Sequence, residues 1–558
     1  MAAYVKSSNL DNVATTVTAT TTITTLSSDS ISEFDEIDSL HSEKENNFYK
    51  NFNKNNSIYS NNNSVYSQDK ISYNFDDEGS MEVLQFQNYI QSAIIIFTVL
   101  IANDKFNLLM PRDYQAMIKV ELLGVLPIFF ITYANKKFDF VYLFYLPFFV
   151  SLTCLKNNMT LTIINSILLI NILEFSFFRT IVIQSILILW VYTNDFKLST
   201  NINAWYLIPI PIILNHCFAR ILMKISKLKS LDIIECNIFS VLLTNILFLI
   251  HSDAIYFQIL KVTLSSLFIT ISINFVISYL IFDRLNIFKT VKPIHKSLIL
   301  LLNFIVLFPM LITNILKSID NRSPLNWLFN YILSSNTRQN ILTIWLSILL
   351  LSIPTVTVFK NLISLNTSRK VWHFLILLCI LKPFKMDPNF VKLSLSGSII
   401  IILSVEYLRF LNLEPFDKVL NNYLKSFADA RDSKGPLIIS YIYLIVGVST
   451  PLLFKDSPVG LISLGIGDSM ASIVGQKIGK IKWPNSKKTI EGTLAFIVCT
   501  TITSVFLQTY LGYFPNIRKL NITLMCTLTG ILEGNSTMND NILIPAFMLI
   551  CEQLLTSN

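Results

Sequence analysis

Long uninterrupted apolar runs set the first limit on what this chain can fold into. "SLFITISINFVISYLIF" and "HKSLILLLNFIVLFPMLITNIL" approach or reach the roughly 20 apolar residues that a helix needs to cross a hydrocarbon core about 30 Å thick. Strict alternation of apolar and polar residues is absent, so helices rather than barrel strands are the expected spanning element. Composition agrees: of 558 residues 52% are hydrophobic and only 14% charged, where soluble domains carry about 25% charge. The sequence predicts an all-α fold, a polytopic transmembrane helical bundle of roughly 13–16 spans.

Residues 1–80 depart from this pattern. They are rich in Ser, Thr and Asn and hold 12 acidic and 5 basic residues, a net −7 against +15 for the rest of the chain. A segment this polar buries too little apolar surface to offset its ordering entropy, so a disordered acidic tail is expected. It lacks the apolar core of a cleavable signal peptide, which leaves targeting to the first spans. Residues 81–360 read as an amino-terminal transmembrane bundle of roughly nine apolar segments, with little polar chemistry. Residues 361–558 read as a carboxy-terminal catalytic region.

Several chemistries are disfavoured. Cysteines at 154, 217, 236, 379, 499, 526 and 551 are scattered through apolar runs without a CxxC pair, which argues against zinc and against a disulfide framework. Five histidines without HExxH spacing disfavour a metal held by imidazole. Nothing calls for a nucleic acid or identifies a protein partner.

In the last two hundred residues, polar groups gather in four loops: 366–373, 412–435, 475–492 and 532–541. If each apolar run between them crosses once, all four emerge on one face, which favours a shared site. Within the second loop, Phe416, Val419, Leu420, Tyr423, Leu424 and Phe427 form one helical stripe, as expected for a helix in the interface plane or one packed on protein.

The stretch 464–492, "LGIGDSMASIVGQKIGKIKWPNSKKTIEG", is the densest concentration of candidates. Lys477, Lys480, Lys482, Lys487 and Lys488 suit phosphate oxygens as point charges, although positive-inside topology or anionic lipid headgroups would also draw them. Gly465 and Gly467 cost helix stability of about 1 kcal/mol each, which suggests close backbone approach or a positive φ. Asp468 at membrane depth marks a functional position with a cation or metal as partner. Thr489, Glu491 and Gly492 add a hydroxyl and a carboxylate, but no Walker A spacing occurs. Arg369, Lys370 and His373 open one span; Glu406 and Arg409 can pair on one helix face. Asp429 and Asp432, one turn apart, and Glu533, Asp540 and Asn541 in the last loop offer further oxygen ligands. Lysines for phosphates, carboxylates enough for Mg²⁺ and a membrane setting together point to phosphoryl transfer onto a lipid.

The stretch "GIGDSMASIVGQKIGKIKWPNSKKTIEGT" closely resembles the nucleotide-binding segment of the dolichol kinases, the CTP-dependent polyprenol kinases. "RKVWHF", "FADARDSKGPLIISYIYLIVGVSTPLLF" and "EGNSTMNDNILIPAF" follow in the family's order and roughly its spacing, over about residues 366–550. The resemblance implies CTP as phosphoryl donor, dolichol as acceptor, dolichyl phosphate and CDP as products, and a divalent cation, Mg²⁺. It implies a multi-pass protein of the endoplasmic reticulum membrane with the CTP site facing the cytosol, serving protein glycosylation and GPI-anchor synthesis. The Asn, Ile, Lys and Ser bias fits a fungal source.

Carried over residue by residue, the CTP-binding positions are Gly465, Gly467, Asp468, Ser469, Lys480, Lys487, Lys488, Thr489, Glu491 and Gly492. Asp468 and Glu491 are the first catalytic candidates and Asp429 and Asp432 the second, with Asp468 and Asp540 for the metal. The alternatives are a sister CTP-dependent kinase of diacylglycerol or phytol, and, from another class, a membrane transporter. A transporter would show paired broken helices and polar midplane residues in both halves, whereas here the polar clusters occupy one end of the chain.

Overall fold

The computed structural model describes, with short gaps, residues 159–193, 209–280, 293–411 and 435–556, plus scattered positions in 89–101 and 421–432. The acidic tail 1–80, most of the striped helix expected at 416–427, and Asp429 lie outside the described residues. The apolar runs have become helices. In the amino-terminal part these are α1 (Met159–Leu168), α2 (Phe177–Thr193), α3 (Pro209–Ser226), α4 (Ile233–Thr244), α5 (Ile255–Ile277), α6 (Pro293–Asp320), α7 (Pro324–Leu333) and α8 (Asn336–Phe359). The carboxy-terminal set is α9 (Leu365–Met386), α10 (Pro388–Phe410), α11 (Ser440–Lys455), α12 (Val459–Lys477), α13 (Ile490–Leu511), α14 (Lys519–Asn535) and α15 (Asp540–Leu555). Among the described residues five helical segments are long and apolar enough to cross a membrane: 255–280, 294–316, 388–410, 459–477 and 490–511.

Local chemistry fixes the ends. Asp232 and Glu235 form a reciprocal capping box at the start of α4. Asp387 caps α10 by accepting from the Phe390 N–H, with Pro388 at the first helical position. Thr489 caps α13 through the Gly492 N–H, and Gly512, at φ +64°, closes it in the left-handed conformation that glycine adopts without strain.

α13 shows how such a helix meets its two environments. Phe496, Thr500, Ser504 and Leu507 are buried, while Leu494, Val498, Ile502 and Phe506, four residues apart, are all more than half exposed. That stripe would be a liability in water and is what lipid requires. On the buried face small groups allow close packing: Ser504 Oγ lies 3.9 Å from Cys526 Sγ, and Gly530 abuts Ile497 and Phe496.

α5 lies along α10, joining the amino-terminal helices to the carboxy-terminal set; α11 packs on α10 and α15, and α13 between α12 and α14. The amino-terminal bundle carries more polar chemistry than its sequence suggested. Gln184 donates to the Ile167 carbonyl (3.0 Å) and to Asn171 Oδ1 (3.3 Å), which also lies 3.3 Å from His216 Nδ1. Residues at the starts of α9, α11, α13 and α15 and at the ends of α12 and α14 meet around one cavity, so the loops 366–373, 475–492 and 532–541 share one end of the bundle, as the parity count expected.

α12 is not a regular helix. Residues 462–468 take the wider π form between two α-helical parts, a local widening common at functional positions. Its glycines are helical, so neither is there for a positive φ. A Cβ on Gly465 would stand 2.8 Å from Leu377 of α9, and one on Gly467 would run into the Phe496 ring of α13. The close approach expected from these glycines is made to neighbouring helices, which draws α9, α12 and α13 together around Asp468.

Candidate active site

At the shared end the helices enclose a cavity of about 360 Å³. It receives side chains from α9, α11, α12, the 478–489 loop, α13, α14 and α15. Four cationic groups (Arg369, Lys370, Lys487, Lys488) and three acidic ones (Asp468, Glu533, Asp540) line it. The cationic excess is one, which suits an anionic ligand that brings a divalent cation with it.

The charges fall into two groups. In the first, Lys370 and His373 sit one turn apart on α9 and converge on Asp468: Lys370 Nζ pairs directly with Asp468 Oδ2, and His373 Nδ1 lies 3.4 Å from the same oxygen. The apolar surroundings of α12 make this carboxylate costly, and two neighbours able to carry positive charge offset that cost. In the second, Lys488 Nζ donates to Asp540 Oδ2 at 2.8 Å and to the Glu533 carbonyl at 2.6 Å, with Glu533 Oε1 at 3.0 Å. Burial pulls the Lys488 ammonium down, but Asp540 and Glu533 outweigh it and hold its pKa above the ordinary lysine value. The groups are near enough for Asp468 to act electrostatically on both Glu533 and Asp540.

The second oxygen of Asp540 distinguishes this site. Asp540 Oδ1 is buried and has no hydrogen-bond partner among the described residues. A buried carboxylate oxygen without a partner is costly, and a bound cation is one way to offset that cost. A buried carboxylate oxygen of this kind, on a residue that lines the cavity, fits a hard cation such as Mg²⁺, which takes one or two carboxylates and completes its shell with phosphates and water.

The 478–489 loop is held as a narrow hairpin, with Lys482 bridged to Thr489 and the Ile490 N–H donating to the Ile481 carbonyl at 2.8 Å. Trp483 pins it to the bundle: its Nε1 donates to Thr493 Oγ1 at 2.9 Å and its ring lies against Gly534. Glu491 turns to the loop backbone, its Oε1 accepting from the Lys480 and Ile481 N–H groups at 3.0 and 3.1 Å.

The positions singled out in the sequence therefore separate. Arg369, Lys370, Asp468, Lys487, Lys488, Thr489, Gly492, Glu533, Asp540 and Asn541 line one cavity. His373 supports Asp468 from behind. Gly465 and Gly467 face helix neighbours, and Ser469 bonds back to the Leu464 carbonyl at 3.3 Å. Glu491 and Lys480 belong to the loop's outer side. Asp432 accepts from the Ile439 N–H (2.9 Å) and Ser440 Oγ (2.6 Å), fixing the start of α11. Ser440, Ser472, Gln476 and Asn539 also line the cavity and were not singled out. For two of them a signal existed: residues 468, 472 and 476 are four apart on one helical face.

A second polar centre lies just outside. Arg409 donates to Glu406 Oε2 at 2.8 Å and to the Pro436 carbonyl at 2.6 Å, while Glu406 accepts from the Ile438 N–H at 2.8 Å and from the Tyr441 hydroxyl. The pair expected on one helix face is present, and it ties the chain before α11 to α10.

Residues 41–251 match the family described as the dolichol kinase N-terminal domain. A dolichol kinase of Saccharomyces cerevisiae is 45% identical over 423 residues, 75% of this chain and 78% of that protein. One from Schizosaccharomyces pombe is 37% identical over 262 residues, 42% of this chain and 51% of that protein. More distant similarity, 25% over 215 residues, covers 36% of this chain and 70% of a probable chloroplastic phytol kinase of Zea mays. No solved structure matches. With nearly half of the aligned positions identical to a relative that the match covers over most of its length, the chain belongs to the dolichol kinase family.

Proposed function

We propose that this chain transfers the γ-phosphoryl group of CTP to dolichol, giving dolichyl phosphate and CDP, and that the cavity between α9, α12 and α15 is where it does so. Family membership supports a membrane-embedded kinase acting on dolichol. The observation that carries the site is the cavity itself: lysines from two elements meet three carboxylates, one with an orphaned oxygen, at the end of the spans where a lipid alcohol can arrive from the bilayer.

Lys487 and Lys488 would hold the phosphates, with Lys370 and Arg369 opposite them. Asp468 and Asp540 would hold the divalent cation, which supplies neutralisation of the phosphate charge. Phosphoryl transfer through a loose transition state asks mainly for positioning and electrostatic complementarity, so the dolichol hydroxyl needs only a nearby proton acceptor late in the reaction. Asp468, paired with Lys370, is our candidate for that role as the alternative to holding the cation. Glu491 acts through the loop, keeping Lys487 and Lys488 turned inward. The resemblance to the family further supports an endoplasmic reticulum location with this end of the bundle in the cytosol, where CTP is available.

The reading is tested by incubating membranes containing the full chain with dolichol and γ-labelled CTP, with labelled ATP in parallel. Labelled dolichyl phosphate should form from CTP and be lost in Asp468→Asn. Product from diacylglycerol but not from dolichol would move the function to a sister lipid kinase.

A further inference from the structure

The basic loop has two faces, and the cavity uses only one. Lys487 and Lys488 line the cavity. Lys477, Lys480 and Lys482 are exposed on the other side, and Ile478 and Ile481 between them are 63% and 60% exposed. Lys477, Lys480 and Lys482 enter none of the ion pairs found among the described residues; Lys480 bonds Glu491 through its backbone N–H, and its ammonium acts on that carboxylate without pairing with it.

Both isoleucines are fixed at the level where spans leave the bilayer. Ile478 directly follows Lys477, the last residue of α12, and Ile481 accepts a hydrogen bond from Ile490, the first residue of α13. Glu491 clamps the N–H of Ile481, the Lys482–Thr489 bridge closes the hairpin and the Ile478 N–H donates to the Val474 carbonyl at 2.8 Å, so the backbone that carries both side chains is fixed. Two exposed isoleucines would gain nothing from water. At headgroup depth they enter the acyl boundary, while ammonium groups on flexible stems reach lipid phosphates. Charge complementarity then selects the lipid: three cations on one small face favour anionic over zwitterionic headgroups.

We propose that residues 477–482 form an anionic-phospholipid site that docks the outer face of the basic loop on the bilayer surface, leaving Lys487 and Lys488 directed at the cavity. This goes beyond the kinase reading and does not depend on it.

The test uses the purified full chain in nanodiscs of phosphatidylcholine with a minor fraction of phosphatidylserine, measuring each lipid retained per protein after exchange into detergent. Wild type should retain phosphatidylserine preferentially and release it as salt is raised. Lys477→Gln with Lys482→Gln should lower that preference by roughly tenfold or more. Lys477→Arg with Lys482→Arg should keep it, and Ile478→Ser with Ile481→Ser should weaken it. Equal retention of both lipids by wild type would overturn the proposal without reference to any variant. So would unchanged preference in the Gln pair, or displacement by soluble glycerophosphoserine as effective as by bilayer lipid, which would make this a free-anion site.

Discussion

The two ends of the carboxy-terminal bundle use the same charged residue types to opposite effect. At the far end, Arg338 donates to Asp387 at 2.7 Å and to the Tyr331 carbonyl at 2.7 Å, and its guanidinium lies 3.7 Å above the Tyr331 ring. Lys385 bonds the Gly512 carbonyl at 3.0 Å and rests 4.1 Å above the Tyr513 ring, whose hydroxyl donates to Leu381. Lys392 pairs with Asp456 and lies 4.7 Å from the Tyr256 ring. Each of these three cations is matched by an acceptor or an aromatic face, and the arrangement closes helix ends. At the cavity end, cations and carboxylates are crowded, Asp468 acts electrostatically on Glu533 and Asp540, and Asp540 has an oxygen without a hydrogen-bond partner among the described residues. Completed polar pairs hold a bundle together; crowded charges around a cavity are costly to keep and suit a charged ligand.

Substitutions at the two ends should therefore separate activity from stability. The largest effect is expected from Asp468→Asn and Asp540→Asn, each lowering kcat per folded molecule for dolichol phosphorylation by about a hundredfold or more, beyond the stability lost by leaving Lys370 or Lys488 without that carboxylate. Next, Lys487→Ala with Lys488→Ala should raise KM for CTP about tenfold or more while leaving KM for dolichol nearly unchanged; equal changes in both would remove the phosphate-grip assignment. Trp483→Phe, which deletes the bond to Thr493 and keeps the ring, should raise KM for CTP only a few-fold, about the loss of one neutral hydrogen bond. Lys392→Met at the far end should lower the melting temperature by a few degrees and leave kcat per folded molecule intact; a large fall in kcat would erase the distinction between the ends. The smallest effect concerns pH. Because the folded pKa of Lys488 is raised, its charge, and the stability it lends, persist below the ordinary lysine value and are lost only as pH rises through the folded value. KM for CTP should therefore show no Lys488 titration up to about pH 10.

The helical membrane fold was legible because continuous apolar runs leave few other solutions, and Asp468 was legible because a carboxylate at membrane depth needs a reason. The shared face of the polar loops followed from counting crossings. Less was visible where meaning depends on packing. Gly465 and Gly467 read as ligand-facing, yet a Cβ there would meet Leu377 and Phe496 on other helices, contacts no local pattern reveals. Five lysines read as one phosphate cluster, and only the hairpin divides them into an inward and an outward face. Glu491 read as a catalytic candidate, and its bonds to loop amides emerge only once the hairpin is folded. Ser472 and Gln476 could have been found by extending the helical period from Asp468.

The central claim is that the incomplete polar set around Asp540, and not the completed set around Lys392, receives the nucleotide. The most direct test is equilibrium binding of CTP to the purified full chain with and without Mg²⁺, for wild type, Asp540→Asn and Lys392→Met. The account predicts Mg²⁺-dependent binding in wild type and Lys392→Met and loss of the Mg²⁺ dependence in Asp540→Asn. Wild-type affinity and Mg²⁺ dependence in a folded Asp540→Asn would contradict it.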